Sequence, residues 1–312
     1  MTAQNIINKK SGINPLSSLL LIGIISLTFI YDNELKAAVI SGMNLAAMRI
    51  IPTLFPFMIL SDYWIASFNI SKNSFIGKIF RKAFKINQSL ITAFLTGAFA
   101  GFPLGVKTAV DLYNEGAITR EELERISPIV NLPSLAFVIS GVGLGIYNDI
   151  MIGILLYSVV LISSIIVAII QGIGRKYSNY SSVISRQMFD LTNSIRKAGC
   201  SSLNICFYII FFSAVIGLAS VIIKNGILLA VISSFFEIGN ATSIISNTSF
   251  VFRGTRLILT AFALGFSGFS VHLQAFSFMP QDISKIKYLI TKLLVGLLSS
   301  ILITIVMIFL KI

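Results

Sequence analysis

The 22 residues from Ile150 to Gln171, IMIGILLYSVVLISSIIVAIIQ, carry no charge. A helix of about 20 apolar residues is what a bilayer core about 30 Å thick requires, and a helix apolar on every side must be buried in protein or lipid. The whole chain agrees with this one run. Of its 312 residues 55% are hydrophobic and only 12% are charged, with a mean hydropathy of +0.90, against about 25% charged residues in soluble domains. The chain is an integral membrane protein. Its apolar residues come in runs of about 20 and not in alternating segments of about 10, so helices are expected and barrel strands are not.

Apolar segments fall near 16–31, 41–68, 89–113, 129–147, 150–171, 200–223, 227–246, 257–279 and 288–310. This predicts an all-α polytopic bundle of eight or nine segments. The segment 16–31 follows Lys9 and Lys10 as a signal peptide would, but it has no small-residue cleavage site and reads as a retained, peripheral span. Lys and Arg number 24 against 12 acids, a net charge of +12. In a membrane protein that excess is chiefly the positive-inside bias. The loop 69–88 holds Lys72, Lys78, Arg81, Lys82 and Lys85 without an acid, and 172–199 holds Arg175, Lys176, Arg186, Arg196 and Lys197 against Asp190. Both are expected on the cytoplasmic side.

Three apolar segments separate these loops, and three full crossings would put the second loop on the wrong side. One segment must turn back. The stretch Gly97–Lys107, GAFAGFPLGVK, supplies the turn through Gly101, Pro103 and Gly105. Its arms, from Ser89 to Gly101 and from Gly105 to Asn114, would be about 18 and 14 Å long, each reaching halfway across the core. The following EGAITREELERISP has Thr119 and Glu122 at capping-box spacing and reads as a short amphipathic surface helix. A faint echo lies in the second half: TAFLTGAFAGFPLGVKTA resembles TAFALGFSGFSVHLQAF, aligning Gly101-Phe102 with Gly268-Phe269. Four apolar segments fall in each half, 41–171 and 200–310. One re-entrant segment per half would leave three crossings each and two inverted repeats, as in secondary transporters with sites at broken helices.

Few polar residues lie inside these segments. Lys107 either contacts an anion or pairs with Asp111, one helical turn on. Glu237 and Asn240, in SSFFEIGNATS, mark a second broken helix that could hold a cation, proton or substrate, unless the segment simply ends there in a loop. Asn131 and Ser134 flank Pro133, where freed carbonyls need partners or a substrate needs contacts. His272, the single histidine, and Gln274 follow the second glycine tip; the histidine is either a structural hydrogen-bonding group or a proton relay. Cys200 and Cys206 have no clustered ligands near them, so neither a disulfide nor a metal is expected. Hydrolytic, redox and nucleotide-binding motifs are absent, which points away from an enzyme, a cofactor and a nucleic-acid partner.

GFPLGVKTAVDLYNEGAITREELERI, then NLPSLAFVISGVG, and later GFSVHLQ together resemble the YlbJ/SpoVV family of sporulation integral membrane proteins with nucleoside-recognition (Gate) domains. The resemblance implies an N-terminal tail and peripheral helix at 1–40, Gate-like repeats at 41–171 and 200–312, and a basic linker at 172–199. It implies transport of dipicolinate across a forespore membrane. It also puts Gly101, Pro103, Gly105, Lys107, Asn131, Ser134, His272 and Gln274 at motif positions. The leading expectation is therefore a permease for a small organic anion, coupled to a proton or cation. A nucleoside transporter and a non-transporting scaffold of spore formation stand as alternatives.

Overall fold

The computed structural model describes residues 26–67, 81–175, 189–248 and 252–310, and most of the segment 16–31, the first part of the loop 69–88 and the middle of the loop 172–199 lie outside them. All regular structure among the described residues is helical. α1 (Asp32–Leu45) passes through a π-helical turn, Ala46–Ile50, into α2 (Ile51–Ser67). Pro52 follows that turn and has no N–H to give to the preceding one, which loosens the ladder there.

α3 (Leu90–Ala100) and α4 (Leu104–Asn114) pack against each other as the arms of a hairpin around Gly101-Phe102-Pro103. Gly101 has φ +83°, and a Cβ there would sit 2.6 Å from Ser134, so the tip needs glycine both for its backbone and for its contact. Gly97 and Gly105, one on each arm, leave the room into which the Val130 carbonyl fits. Val130 ends α5 (Arg120–Val130), whose N-terminus carries the expected capping box: Thr119 Oγ1 accepts from the Glu122 N–H at 3.2 Å and Glu122 Oε2 accepts from the Thr119 N–H at 2.9 Å. The helix runs two residues past Pro128 before the chain extends through Asn131–Ser134. A π-helical segment, Phe137–Leu144, then leads to α6 (Ile150–Gly172), capped by Asp149. The apolar segment 129–147 is thus two short pieces joined by an extended stretch.

α7 (Leu191–Ile222) begins inside the expected linker 172–199, with Asp190 as its cap. α8 (Gly226–Phe236) and α9 (Ile238–Asn247) pack on each other across the single residue Glu237. The helix therefore breaks at Glu237 and resumes; it does not end in a loop. α10 (Arg253–Phe266) and α11 (Gly268–Phe278) are separated by Ser267 alone, at φ +76°. α12 (Lys285–Leu310) closes the fold.

Among the described residues four stretches are long and apolar enough to cross a membrane: α6, α7, α10 with α11 taken together, and Lys285–Phe309 of α12. The second glycine tip therefore belongs to a broken span of 26 residues and not to a hairpin like the first. The cause is local, since the interruption is confined to two left-handed residues, Ser267 and Gly268, where the hairpin turns through Gly101-Phe102-Pro103. α12 packs along α10, where Gly265 faces Gly296, and also against α6 and α5. At the surface α5 is fastened to the start of α12: Glu124 accepts from the Ser284 N–H at 3.0 Å and from Lys287 Nζ at 2.9 Å, and Arg120 pairs with Asp282 at 3.0 Å.

Candidate functional site: a cavity where four helix breaks meet

A small cavity lies where the interrupted helices converge. Ala100, Gly101 and Phe102 come from the hairpin tip, and Ser134 and Phe137 from the extended stretch after α5. Glu237 and Ile238 come from the α8–α9 break, and Ser270, Val271 and Gln274 from the first turns of α11. The π turn after α1, the first turn of α2 and the middle of α7 complete the wall with Ile50, Leu54, Ile205 and Ile209. The breaks also touch pairwise: Gly101 lies against Ser134, and Gly268, at φ +74°, lies against the Phe236 carbonyl and the Glu237 N–H.

Among the residues singled out from sequence, Gly101, Ser134, Glu237 and Gln274 line this cavity. Pro103 and Gly105 are buried in the hairpin that holds Gly101 in place, Pro103 capping α4 and Gly105 seating α5. Lys107 is not in the wall. It pairs with Asp111 at 3.2 Å, with the two side chains 40% and 54% exposed, and so follows the helical-turn pairing considered above. Asn240 stands behind Glu237, donating from Nδ2 to Ser213 Oγ at 2.7 Å and to Glu237 Oε2 at 3.0 Å.

Glu237 is only 2% exposed, and its carboxylate caps α9. It accepts from the Gly239 N–H at 2.9 Å and from the Asn240 N–H at 2.6 Å, besides the Asn240 amide. A negative charge at a helix N-terminus with three donors is well held. This charge is satisfied within the fold.

A second polar cluster lies behind the Ser134 and Gln274 walls, and it includes two residues that hydropathy counting passed over. Lys292 is fully buried in α12 and donates to the Asn131 carbonyl at 2.9 Å. That carbonyl is one of those freed at the break before Pro133. The Asn131 side chain instead donates to Tyr288 Oη at 2.5 Å, one turn before Lys292. His272 is fully buried too, its ring edge-on to Phe266 and Tyr288 at 4.7 and 5.5 Å between centroids. Neither of its nitrogens has a hydrogen-bond partner among the described residues, nor do Asn131 Oδ1 and Gln274 Oε1. Native interiors leave few such atoms, and these four lie on the two breaks that border the cavity. Lys292 was legible as a charge in ITKLLVGLLSS, four residues after Tyr288 and hence on the same helix face.

No family model matches the chain, and no solved structure matches it. Among curated proteins it is similar to the sporulation integral membrane protein YlbJ of Bacillus subtilis (strain 168). The two are 24% identical over 84% of this chain and 74% of that protein. With an all-helical fold and four candidate spans among the described residues, the chain is a multi-pass membrane protein distantly similar to the sporulation integral membrane protein YlbJ.

Proposed function

We propose that the protein is a secondary transporter or permease for a small organic anion. Dipicolinate is the substrate, and a forespore membrane the location, that the resemblance to YlbJ-type proteins brings forward. The observation that carries the reading is the meeting of four helix breaks at one buried cavity. Broken helices at membrane depth are tolerated where protein or a wet cavity surrounds them, and a protein that only anchored a scaffold would have no use for four at one point. Helices or helical segments start at each break, at Leu104, Phe137, Ile238 and Gly268. Their positive ends favour a negative guest, and Glu237 occupies only one of them. Coupling to a proton or cation belongs to the same reading.

The order of elements supports two inverted repeats, in a register different from that of the sequence echo. Each half begins with a long helical stretch, α1–α2 or α7, followed by two packed arms, α3–α4 or α8–α9. A second broken stretch comes next, α5 to the π-helical segment or α10–α11, and a long helix ends the half, α6 or α12. This order matches the Gly101 break with Glu237, and Asn131–Ser134 with Ser267–Gly268. Halves with odd numbers of crossings would face opposite ways and rock about the shared cavity.

One observation favours a second reading, a neutral nucleoside. The rings of Phe102 and Phe137 lie 6.5 Å apart at the cavity, with Gln274 and Glu237 in the same wall, an aromatic, amide and carboxylate set suited to a base and a sugar. Uptake of labelled dipicolinate into proteoliposomes, with uridine as competitor, separates the readings. Saturable dipicolinate uptake indifferent to uridine is the expected result. Uridine uptake indifferent to dipicolinate would select the second reading, and flux of neither by folded protein would leave the scaffold.

A further inference from the structure

We infer that Lys292 is the counter-charge for a carboxylate of the transported anion, in a subsite formed with His272 and the Asn131–Ser134 stretch at the cavity wall. The inference rests on the transport reading above and assigns it a residue. A lysine ammonium carries three protons. Among the described residues that of Lys292 makes one hydrogen bond, to the Asn131 carbonyl, and has no carboxylate partner. A buried, unpaired ammonium is costly, at membrane depth especially. If the fold needed only a donor for that carbonyl, a neutral hydroxyl or amide would serve without the cost. In its charged form the group calls for an anion, and the described residues supply none to it.

The surroundings fit a carboxylate. The His272 ring must carry a proton on at least one nitrogen, and neither nitrogen is engaged. Ser134 Oγ accepts from the Phe137 N–H at 3.1 Å and keeps its own proton to give. The cluster adjoins the cavity along the chain: Ser134 lies three residues beyond Asn131 on one extended stretch and Gln274 two beyond His272 on one helix, and it is Ser134 and Gln274 that line the void, while Asn131, His272 and Lys292 stand behind it. Glu237, the other buried charge nearby, is already matched by three donors and does not compete for Lys292. The ligand class is a small carboxylate with a flat or apolar body to lie beside Phe102 and Phe137.

The test is calorimetric binding to the purified, intact protein in nanodiscs, with dipicolinate and its neutral diamide as probes. Wild type is expected to bind the dianion and not the diamide. Lys292→Met should weaken dipicolinate at least about tenfold with thermal stability little changed, the stranding of the Asn131 carbonyl being offset by removal of a buried amine without a carboxylate partner. Lys292→Arg should keep part of the affinity. Asn131→Asp, which places a carboxylate on the residue that Lys292 already contacts, should lose it with the lysine still present, so the inference stays testable if Lys292→Met does not fold. Wild-type affinity in Lys292→Met, or in Asn131→Asp, overturns the inference and leaves the transport reading standing. A wild type that binds the diamide as well as the dianion overturns the assignment of charge. A wild type that binds neither overturns the anion reading itself, and the inference with it.

Discussion

Glu237 and Lys292 are both ionisable, both buried, and both hydrogen-bonded at a helix break, Lys292 reaching its break from within α12, yet the fold treats them differently. Glu237 has three donors within 3.0 Å and closes the N-terminus of α9. Lys292 has one acceptor and stands beside four polar atoms that lack partners among the described residues. The first break is complete as folded, while the second is complete only with a guest. Burial alone therefore does not mark a site; an unfinished set of partners does.

The contrast can be broken most forcefully by removing each charge in turn. Glu237→Ala strands the Gly239 and Asn240 N–H groups and should lower stability by about 3 kcal/mol, seen as a clear fall in melting temperature of the detergent-solubilised protein. Lys292→Met should show no such fall. Equal losses would make both groups structural and erase the distinction. Gly101→Val should come next, at about 2 kcal/mol or more, from its left-handed backbone and the overlap with Ser134. Because it moves a cavity wall, uptake should fall even in the fraction that stays folded.

Lys107→Ala sharpens the comparison from the other side. Its pair with Asp111 is half exposed, so stability should change by less than about 0.5 kcal/mol, and anion binding in the same calorimetric assay should stay at the wild-type level. The smallest effect concerns the surface. The hydrogen bond from Lys287 holds the Glu124 carboxyl below the usual glutamate range, against a smaller upward push from burial and with help from the Ser284 N–H. A depressed folded value means that this contribution is present above the ordinary glutamate value and fades as pH falls through the lowered one. Melting curves of Glu124→Gln should lack that acid-side loss.

Much of this arrangement was legible in the sequence where the residues carry a local physical signature. The capping box at Thr119 and Glu122 and the breaks at Gly101 and Pro133 sit on residues with strong local preferences, and Glu237 stands out as a charge followed by Gly239-Asn240 in an apolar run. Continuity was not legible. Hydropathy measures apolar content, and the short arms α3 and α8 are as apolar as the long α6, so a run of apolar segments resolved into four long spans and several half-length pieces. Lys292 was hidden by the same averaging, because a lysine near the start of an apolar run reads as its flank. Lys107 drew attention because it stands beside a glycine tip, although Asp111, four residues on, already offered it a partner. Which of two lysines is buried depends on α12 crossing α5, a tertiary fact that no window of sequence contains.

The central claim is that the four breaks enclose one water-reachable cleft that takes an anion. Ser270→Cys, made after Cys200 and Cys206 are replaced by serine, tests it with a charged, membrane-impermeant thiosulfonate applied to intact membranes. The account predicts that the introduced thiol is labelled and that dipicolinate slows the labelling. A thiol that stays unreacted, while a cysteine placed on an exposed loop reacts fully under the same conditions, would contradict it.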